Sequence, residues 1–251
     1  MKPSVFCVFF MLGMSLCTSC TGTAKNDAKL AEAIKIQGEA FLMQGNYTAA
    51  LSSLLEARKM NPGDPHLLNS LGLAYMGKKR DDLAIPEFKA ALALKPDYTE
   101  ALNNLGAAYL RQKNWDLAIP VFKQVLEDLL YPTPQFPLSN LGWAYLEKQD
   151  YTQAESYFSR ALDISPEFVT ASHGLARVFL ETRQEDAAIR FLKARLSENP
   201  DAAILHADLA LAYEAQGRIN DAVKSWQNVL QHAKENTGLK KTATERLSAL
   251  N

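Results

Sequence analysis

The sequence predicts an all-α protein built as a solenoid, a stack of similar helix-turn-helix units. Apolar residues recur at helical spacing, as in Leu102, Leu105 and Tyr109. The same arrangement of residue types returns about every 34 residues along most of the chain. A single helical hairpin of this type has apolar surface on more than one side, so it needs similar neighbours to bury that surface.

Residues 99–132 contain the unit in its clearest form. Two helical stripes are separated by a short polar turn. Gly106 and Ala118 are small, and we expect the two antiparallel helices to approach closely there. Tyr109 and Phe122 are predicted to fill the space beside them. This hairpin is therefore the pattern against which the other copies are compared.

Three positions of the unit recur in all six copies. A small residue in the first helix is followed three positions later by an aromatic residue, and an alanine recurs in the second helix. The small residues are Gly38, Gly72, Gly106, Gly142, Ala176 and Ala210, and the alanines are Ala50, Ala84, Ala118, Ala154, Ala188 and Ala222. This pattern resembles the tetratricopeptide repeat (TPR).

The resemblance implies a right-handed superhelical TPR solenoid of six helix-turn-helix repeats. The repeats are expected at 31–64, 65–98, 99–132, 135–168, 169–202 and 203–236, with an amphipathic capping helix at 237–251. A cap of this type covers the last apolar face of a solenoid.

The N-terminus has a different character. Lys2 is followed by an apolar run over 5–16, which is typical of a signal peptide and predicts one at residues 1–19. The segment that ends at Cys20 resembles a bacterial lipobox, which implies a lipid on Cys20 and a membrane attachment through it. Cys17 is the poorer alternative, and an ordinary secreted protein or an uncleaved anchor are further alternatives. By the same analogy Thr21 implies a periplasm-facing outer-membrane location in a Gram-negative host, and residues 20–30 are interpreted as a flexible lipidated tether.

Composition and motifs favour a protein that is not an enzyme. The net charge of −1 gives no support for nucleic-acid binding. The four histidines have no zinc-site spacing, and phosphate-binding and nucleophile-elbow motifs are missing from the sequence. All three cysteines lie within the first 20 residues. We therefore expect no catalytic residue, no metal, no cofactor and no small-molecule substrate.

A partner polypeptide is expected in the concave groove, which in a TPR solenoid is lined by the first helix of each repeat. The candidate groove residues share this predicted position: Asn69, Leu73, Met76, Asn103, Asn104, Leu110, Phe136, Asn140, Trp143, Leu146, His173 and Arg177. Trp143 is the natural anchor, because aromatic residues dominate binding hot spots. The alternative for any one of the apolar residues is packing against the neighbouring repeat.

Residues 127–142, with the segment Leu130-Tyr131-Pro132 and a two-residue insertion, resemble the type IV pilus pilotin lipoproteins of the PilF/PilW/Tgl family. That resemblance implies a scaffold that escorts the pilus secretin subunit to the outer membrane and promotes its multimerisation. The alternative is a general envelope adaptor that docks peptidoglycan enzymes or another secretion complex. A third possibility is an enzyme that uses His66 or His173, but no catalytic sequence motif includes either residue.

Overall fold

The computed structural model describes residues 20–234 and 236–250, with side chains from residue 27 onward. All regular structure within these residues is α-helical, as predicted. The helices are α1 Cys20–Met43, α2 Tyr47–Met60, α3 Pro65–Gly77, α4 Asp81–Leu94, α5 Thr99–Arg111, α6 Trp115–Val125, α7 Gln135–Glu147, α8 Tyr151–Ile164, α9 Val169–Glu181, α10 Glu185–Glu198, α11 Ala203–Ala215, α12 Ile219–His232 and α13 Thr237–Leu250.

The chain divides into two compact units, one ending at Leu94 and one beginning at Lys95. The first unit contains α1–α4. In it α1 packs against α2, α3 packs against α4, and α3 also contacts both α1 and α2. Its core includes Leu54, Leu71 and Phe88, all with no exposed surface. The second unit contains α5–α13, stacked so that each helix contacts the next.

In the pairs that have glycine at the small-residue offset, close approach of the two helices depends on it, in line with the predicted need for a small residue. A Cβ atom added to Gly106 would lie 2.7 Å from Cε1 of Phe122, and one added to Gly72 would lie 2.4 Å from Cε1 of Phe88. Both phenylalanines are fully buried. Because a Cβ atom cannot occupy that space, the aromatic ring of the second helix lies directly on the backbone of the first.

The turn inside each pair places one residue in the left-handed region. The six residues have φ between 56° and 71° and are Gly45, Lys79, Lys113, Gln149, Arg183 and Gly217. Only the first and last are glycine, the residue for which this conformation carries no steric cost. The four other turns therefore hold a side chain that is strained by roughly 1 kcal/mol.

The first helix differs from its prediction. Residues 20–30, for which the sequence predicts a flexible tether, form the beginning of α1, which continues without a break to Met43. The segment contains no proline, and Ala24, Lys25, Ala28 and Lys29 are good helix formers. The predicted signal peptide lies outside the described residues. In the part of the chain that is described, no helix is long and apolar enough to cross a membrane.

The C-terminal helix α13 covers the end of the second unit. Ala243 is fully buried, and Leu239, Leu247 and Leu250 pack against a cluster that contains Ala210 and Trp226. Glu214 of α11 accepts a hydrogen bond of 2.6 Å from Nε1 of Trp226, and it also forms an ion pair with Arg246 of α13. Polar and apolar contacts together fix this helix on the stack.

Candidate functional site: an aromatic and polar face on α5, α7, α9 and α11

The candidate site lies on the first helices of the repeats in the second unit. Here α7 contacts α5 and α9, and α9 contacts α11, so these four helices form one layer. The second helix of each repeat packs behind that layer. Side chains on the free face of the layer are close enough for a single bound segment to contact several of them.

Trp143 of α7 lies at the centre of an aromatic cluster. Its ring makes an edge contact with Phe158, with 5.4 Å between ring centroids, and a tilted contact with His173 at 5.1 Å. Trp143 and His173 are both partly buried, whereas Phe158 is fully buried. The tryptophan therefore rests on a rigid base and keeps part of its surface available to a partner.

His173 connects this cluster to a buried carboxylate. Its Nδ1 atom lies 2.6 Å from Oδ2 of Asp208 on α11, whose side chain is only 2% exposed. Burial raises the pKa of Asp208, while the hydrogen bond with His173 and the positive charge of Arg177 act in the opposite direction. Arg177 is itself paired with Glu181 at 2.7 Å and stays accessible. Aromatic, acidic and basic groups thus meet on three adjacent helices, α7, α9 and α11.

The cluster is supported from behind by the close approach of α8. A Cβ atom at Gly174 would lie 2.2 Å from Cε1 of Phe158, and one at Gly142 would lie 2.6 Å from the same atom. The phenyl ring therefore fits between α7 and α9 only because both residues are glycine. Since Phe158 contacts Trp143, these glycines also position the anchor residue.

Two side-chain polar atoms on α5 and α7 are buried without a hydrogen-bond partner. They are Oδ1 of Asn103 on α5 and Oγ of Ser139 on α7, which occupy the same offset in successive repeats. A buried polar atom without a partner costs about 1–3 kcal/mol. Both atoms are covered, so in this conformation they add no contact for a partner.

The other predicted groove residues differ in accessibility. Phe136 is 45% exposed and contacts the ring of Phe168 edge-on at 5.1 Å. Asn104, Leu110 and Asn140 are partly buried. Leu146 is only 8% exposed and therefore belongs mainly to the core.

The three predicted residues on α3 belong to the first unit. Asn69 is 7% exposed, which leaves little surface for a partner, whereas Leu73 and Met76 are partly buried. The cluster around Trp143 belongs to the second unit alone, so it does not depend on these three residues.

Sequence reasoning missed Asp208 and Phe158 as parts of the site. Asp208 occupies the repeat offset of Asn104 and Asn140, and it is the one carboxylate in the run over 203–213, which is otherwise apolar except for His206. A single carboxylate in such a largely apolar run could therefore have identified Asp208 as a candidate site residue. The repeat pattern identifies Phe158 only as a packing residue, because nothing in it shows that the ring also contacts the neighbouring repeat.

A second histidine cluster lies between α11 and α12. The rings of His206 and His232 stack with 5.6 Å between centroids, and Nδ1 of His232 lies 3.0 Å from Oδ1 of Asp201. Nε2 of His206 hydrogen-bonds with the Pro200 carbonyl at 2.9 Å. Burial lowers the pKa of His206, and the nearby His232 acts in the same direction, although the Pro200 carbonyl and Asp201 oppose it. Among the described residues no group of three His, Cys, Asp or Glu side chains could hold a metal ion.

Comparisons with known proteins agree with this architecture. Two family models, both described as tetratricopeptide repeat, match residues 37–99, 82–129 and 145–209. Together these matches span more than half of the chain. The chain belongs to the tetratricopeptide repeat family. Its repeats in the second unit supply the helix layer described above, and the TPR pattern accounts for the recurring glycine and aromatic positions.

Several solved TPR structures share this fold. PilW, described as a widely conserved type IV pilus biogenesis factor, is 23% identical and aligns over 85% of this chain and 98% of its own with a TM-score of 0.74. PilF of Pseudomonas aeruginosa is 21% identical and aligns over 88% of this chain and 99% of its own, with a TM-score of 0.67. YrrB, described as a TPR protein with an unusual peptide-binding site, is 15% identical and aligns over 76% of this chain and 97% of its own, with a TM-score of 0.53. No curated protein matches the chain in sequence.

Proposed function

We propose that this TPR protein is a scaffold that binds a partner polypeptide on the face formed by α5, α7, α9 and α11. The observation that carries the proposal is the position of Trp143, held by buried Phe158 and next to His173 while part of its ring stays accessible. A rigid, partly exposed tryptophan surrounded by polar groups has the composition of a binding hot spot. The Asp208 carboxylate and Arg177 provide polar contacts of both signs at its edge.

The finer proposal is a pilotin role. The partner is then the type IV pilus secretin subunit, and binding promotes its localisation and multimerisation at the outer membrane. A lipid on Cys20 anchors the scaffold to that membrane, facing the periplasm. Support comes from the fold shared with PilW over nearly the full length of PilW, together with the lipobox-like segment ending at Cys20. A secretin subunit in transit has unpaired strand edges and apolar surface that a scaffold can cover.

Crosslinking and affinity capture from native membranes, with the full-length chain as bait, tests this proposal. We expect the secretin as the main captured protein. Secretin multimers, measured by gel mobility without boiling, are expected to disappear when the gene for this chain is deleted. Unchanged multimers in the deletion strain would contradict the pilotin role.

A second candidate function is a general envelope adaptor for peptidoglycan enzymes or another secretion complex. The similarity in fold to YrrB supports peptide binding without any relation to pili. Capture of cell-wall enzymes, with secretin multimers intact after deletion, would favour this candidate. The TPR scaffold and its binding face are common to both.

A further inference from the structure

The outer face of α1 carries an apolar stripe that no described residue covers. Leu30, Ile36 and Met43 are 50%, 56% and 91% exposed, and Ala33 and Ala40 between them are also exposed. The five residues recur at intervals of three or four positions, so they lie on one side of the helix. The opposite side of α1 packs against α2 and α3.

Later repeats use the equivalent face for packing. The residues that correspond to Ala33 and Ala40 in α3 are Leu67 and Ala74, which are 1% and 0% exposed beneath the preceding pair of helices. In α11 the corresponding residues are Leu205 and Ala212, again 1% and 0% exposed. The outer face of α1 is therefore a helix-docking surface of the type that the later repeats bury.

The surface around the stripe is uncharged over residues 33–44. Lys35 and Glu39 are the two charged residues in that range, and both point inward. Lys35 is 9% exposed and lies 3.0 Å from Oδ2 of Asp64, while Glu39 accepts a 2.8 Å hydrogen bond from the Ser70 hydroxyl. Glu32, whose side chain is 53% exposed, and the exposed Lys29 lie at the N-terminal end of the stripe, outside this range. An antiparallel pair that places Leu30 opposite Met43 would bring them opposite the uncharged residues Phe41 and Gln44, so two copies of this face can meet without bringing like charges together.

The order of residues in the stripe is nearly palindromic. Leucine, alanine, isoleucine, alanine and methionine follow one another, so an antiparallel copy places Leu30 opposite Met43 and Ala33 opposite Ala40. Ile36 then lies next to the two-fold axis. Small residues opposite each other allow the helices to approach closely, and the arrangement is self-complementary, as an isologous interface requires.

The C-terminal helix of another copy is a poor candidate for the missing helix. In the second unit α13 covers the last repeat through Ala243 and Leu247, and its outer side presents Lys241, Thr244 and Glu245 to solvent. A polar, charged surface does not complement the apolar stripe, so head-to-tail stacking is disfavoured. Of the two ends of the chain, the N-terminal face of a second copy is the one that matches the stripe in chemistry.

We infer that the outer face of α1 is a self-association surface, and that two copies of this chain pair through it in an antiparallel two-fold dimer centred near Ile36. The contact is limited to one helix from each copy, which is smaller than the roughly 800 Å² per partner of a standard interface. Dimerisation is therefore weak and depends on concentration. This inference stands independently of the partner bound near Trp143.

Cysteine crosslinking in the full-length chain, expressed in its own host, tests both the surface and its direction. Ile36→Cys is expected to form disulfide-linked dimers by itself. Leu30→Cys and Met43→Cys should each remain monomeric alone, because the two copies of either residue are about 20 Å apart in an antiparallel pair at 1.5 Å per residue. When these two variants are co-expressed they should crosslink. The unmodified chain measures the background from its native cysteines.

Ile164→Cys is the matched control, since Ile164 lies on α8 and is 50% exposed. It is expected not to crosslink above background. Equal crosslinking at positions 36 and 164, or an Ile36→Cys adduct with a different protein only, would overturn the inference. Self-crosslinking of both Leu30→Cys and Met43→Cys would also overturn it, because that result requires a parallel pair.

A charge variant provides an independent measurement. Ile36→Glu places two carboxylates next to the two-fold axis, and it should abolish the dimer seen by chemical crosslinking while leaving the helical circular dichroism unchanged. Ile164→Glu should preserve the dimer. Persistence of the dimer in Ile36→Glu would contradict the proposed surface.

Discussion

Replacing Gly174 by alanine tests how tightly Phe158 fills the space between α7 and α9. In a helix interior this substitution normally stabilises by about 0.8–1 kcal/mol, because alanine is the better helix former. Here the added Cβ atom would lie 2.2 Å from two carbon atoms of the Phe158 ring, which is fully buried and cannot move away freely. Overpacking of this kind costs about 1–3 kcal/mol. After the gain in propensity is subtracted, we therefore expect Gly174→Ala to destabilise the protein by up to about 2 kcal/mol.

Urea denaturation followed by circular dichroism measures this effect. Gly238→Ala in α13 is the control, because the nearest atom to its added Cβ would be 3.6 Å away, and we expect it to be neutral or stabilising. Phe158→Ala alone should cost about 3–5 kcal/mol. In the Phe158→Ala background Gly174→Ala should become stabilising, since the clash is gone. If Gly174→Ala stabilises the unmodified chain as Gly238→Ala does, the described packing behind Trp143 is wrong.

Three further predictions concern turns and buried titratable groups. Lys113→Gly should stabilise by roughly 1 kcal/mol in the same urea assay, because Lys113 has φ of 60°, and Gln112→Gly, at φ of −80°, should not stabilise. The pKa of His206 is lowered from its usual 6.5, so the unfolded chain binds the proton more readily than the folded chain does, and thermal stability is lost as the pH falls below about 7. His206→Gln should reduce that loss. Equal acid sensitivity in His206→Gln and in the exposed control His66→Gln would refute this prediction. Ionising the buried Asp208 carboxyl is unfavourable, so the unmodified chain should lose stability as the pH rises from below 4 through the raised pKa of Asp208. Asp208→Asn lacks this loss and should therefore become more stable relative to the unmodified chain over that range. A constant difference in melting temperature across that range would contradict this reasoning.

The sequence predicts the repeats better than it predicts the binding face. Glycine and aromatic residues at fixed offsets are direct consequences of close helix packing, so the pattern alone predicts that Phe122 packs in the region of Gly106, as it does. The repeat pattern does not predict how exposed each groove residue is. Asn69 and Leu146 have the same repeat offsets as more accessible groove residues but are nearly covered by their neighbours.

Contacts between repeats are the least predictable feature. The hydrogen bond between His173 and Asp208 joins residues 35 positions apart on different helices, and periodicity within one repeat gives no indication of it. The start of α1 shows another limit. Residues 20–30 are small and polar enough to suggest a tether, yet their helix propensity and the following helix extend α1 back to Cys20.

The central claim is that the face around Trp143 binds a partner polypeptide, and capture of that partner from membranes by variant baits tests it most directly. We expect Trp143→Glu and Arg177→Glu to lose the captured protein. Leu117→Glu, at a 51% exposed position on α6, should retain it, and all three should keep the helical circular dichroism of the unmodified chain. The arginine side chain is 40% exposed, so its substitution probes binding with little risk to folding. Undiminished capture by both Trp143→Glu and Arg177→Glu would show that the partner binds elsewhere.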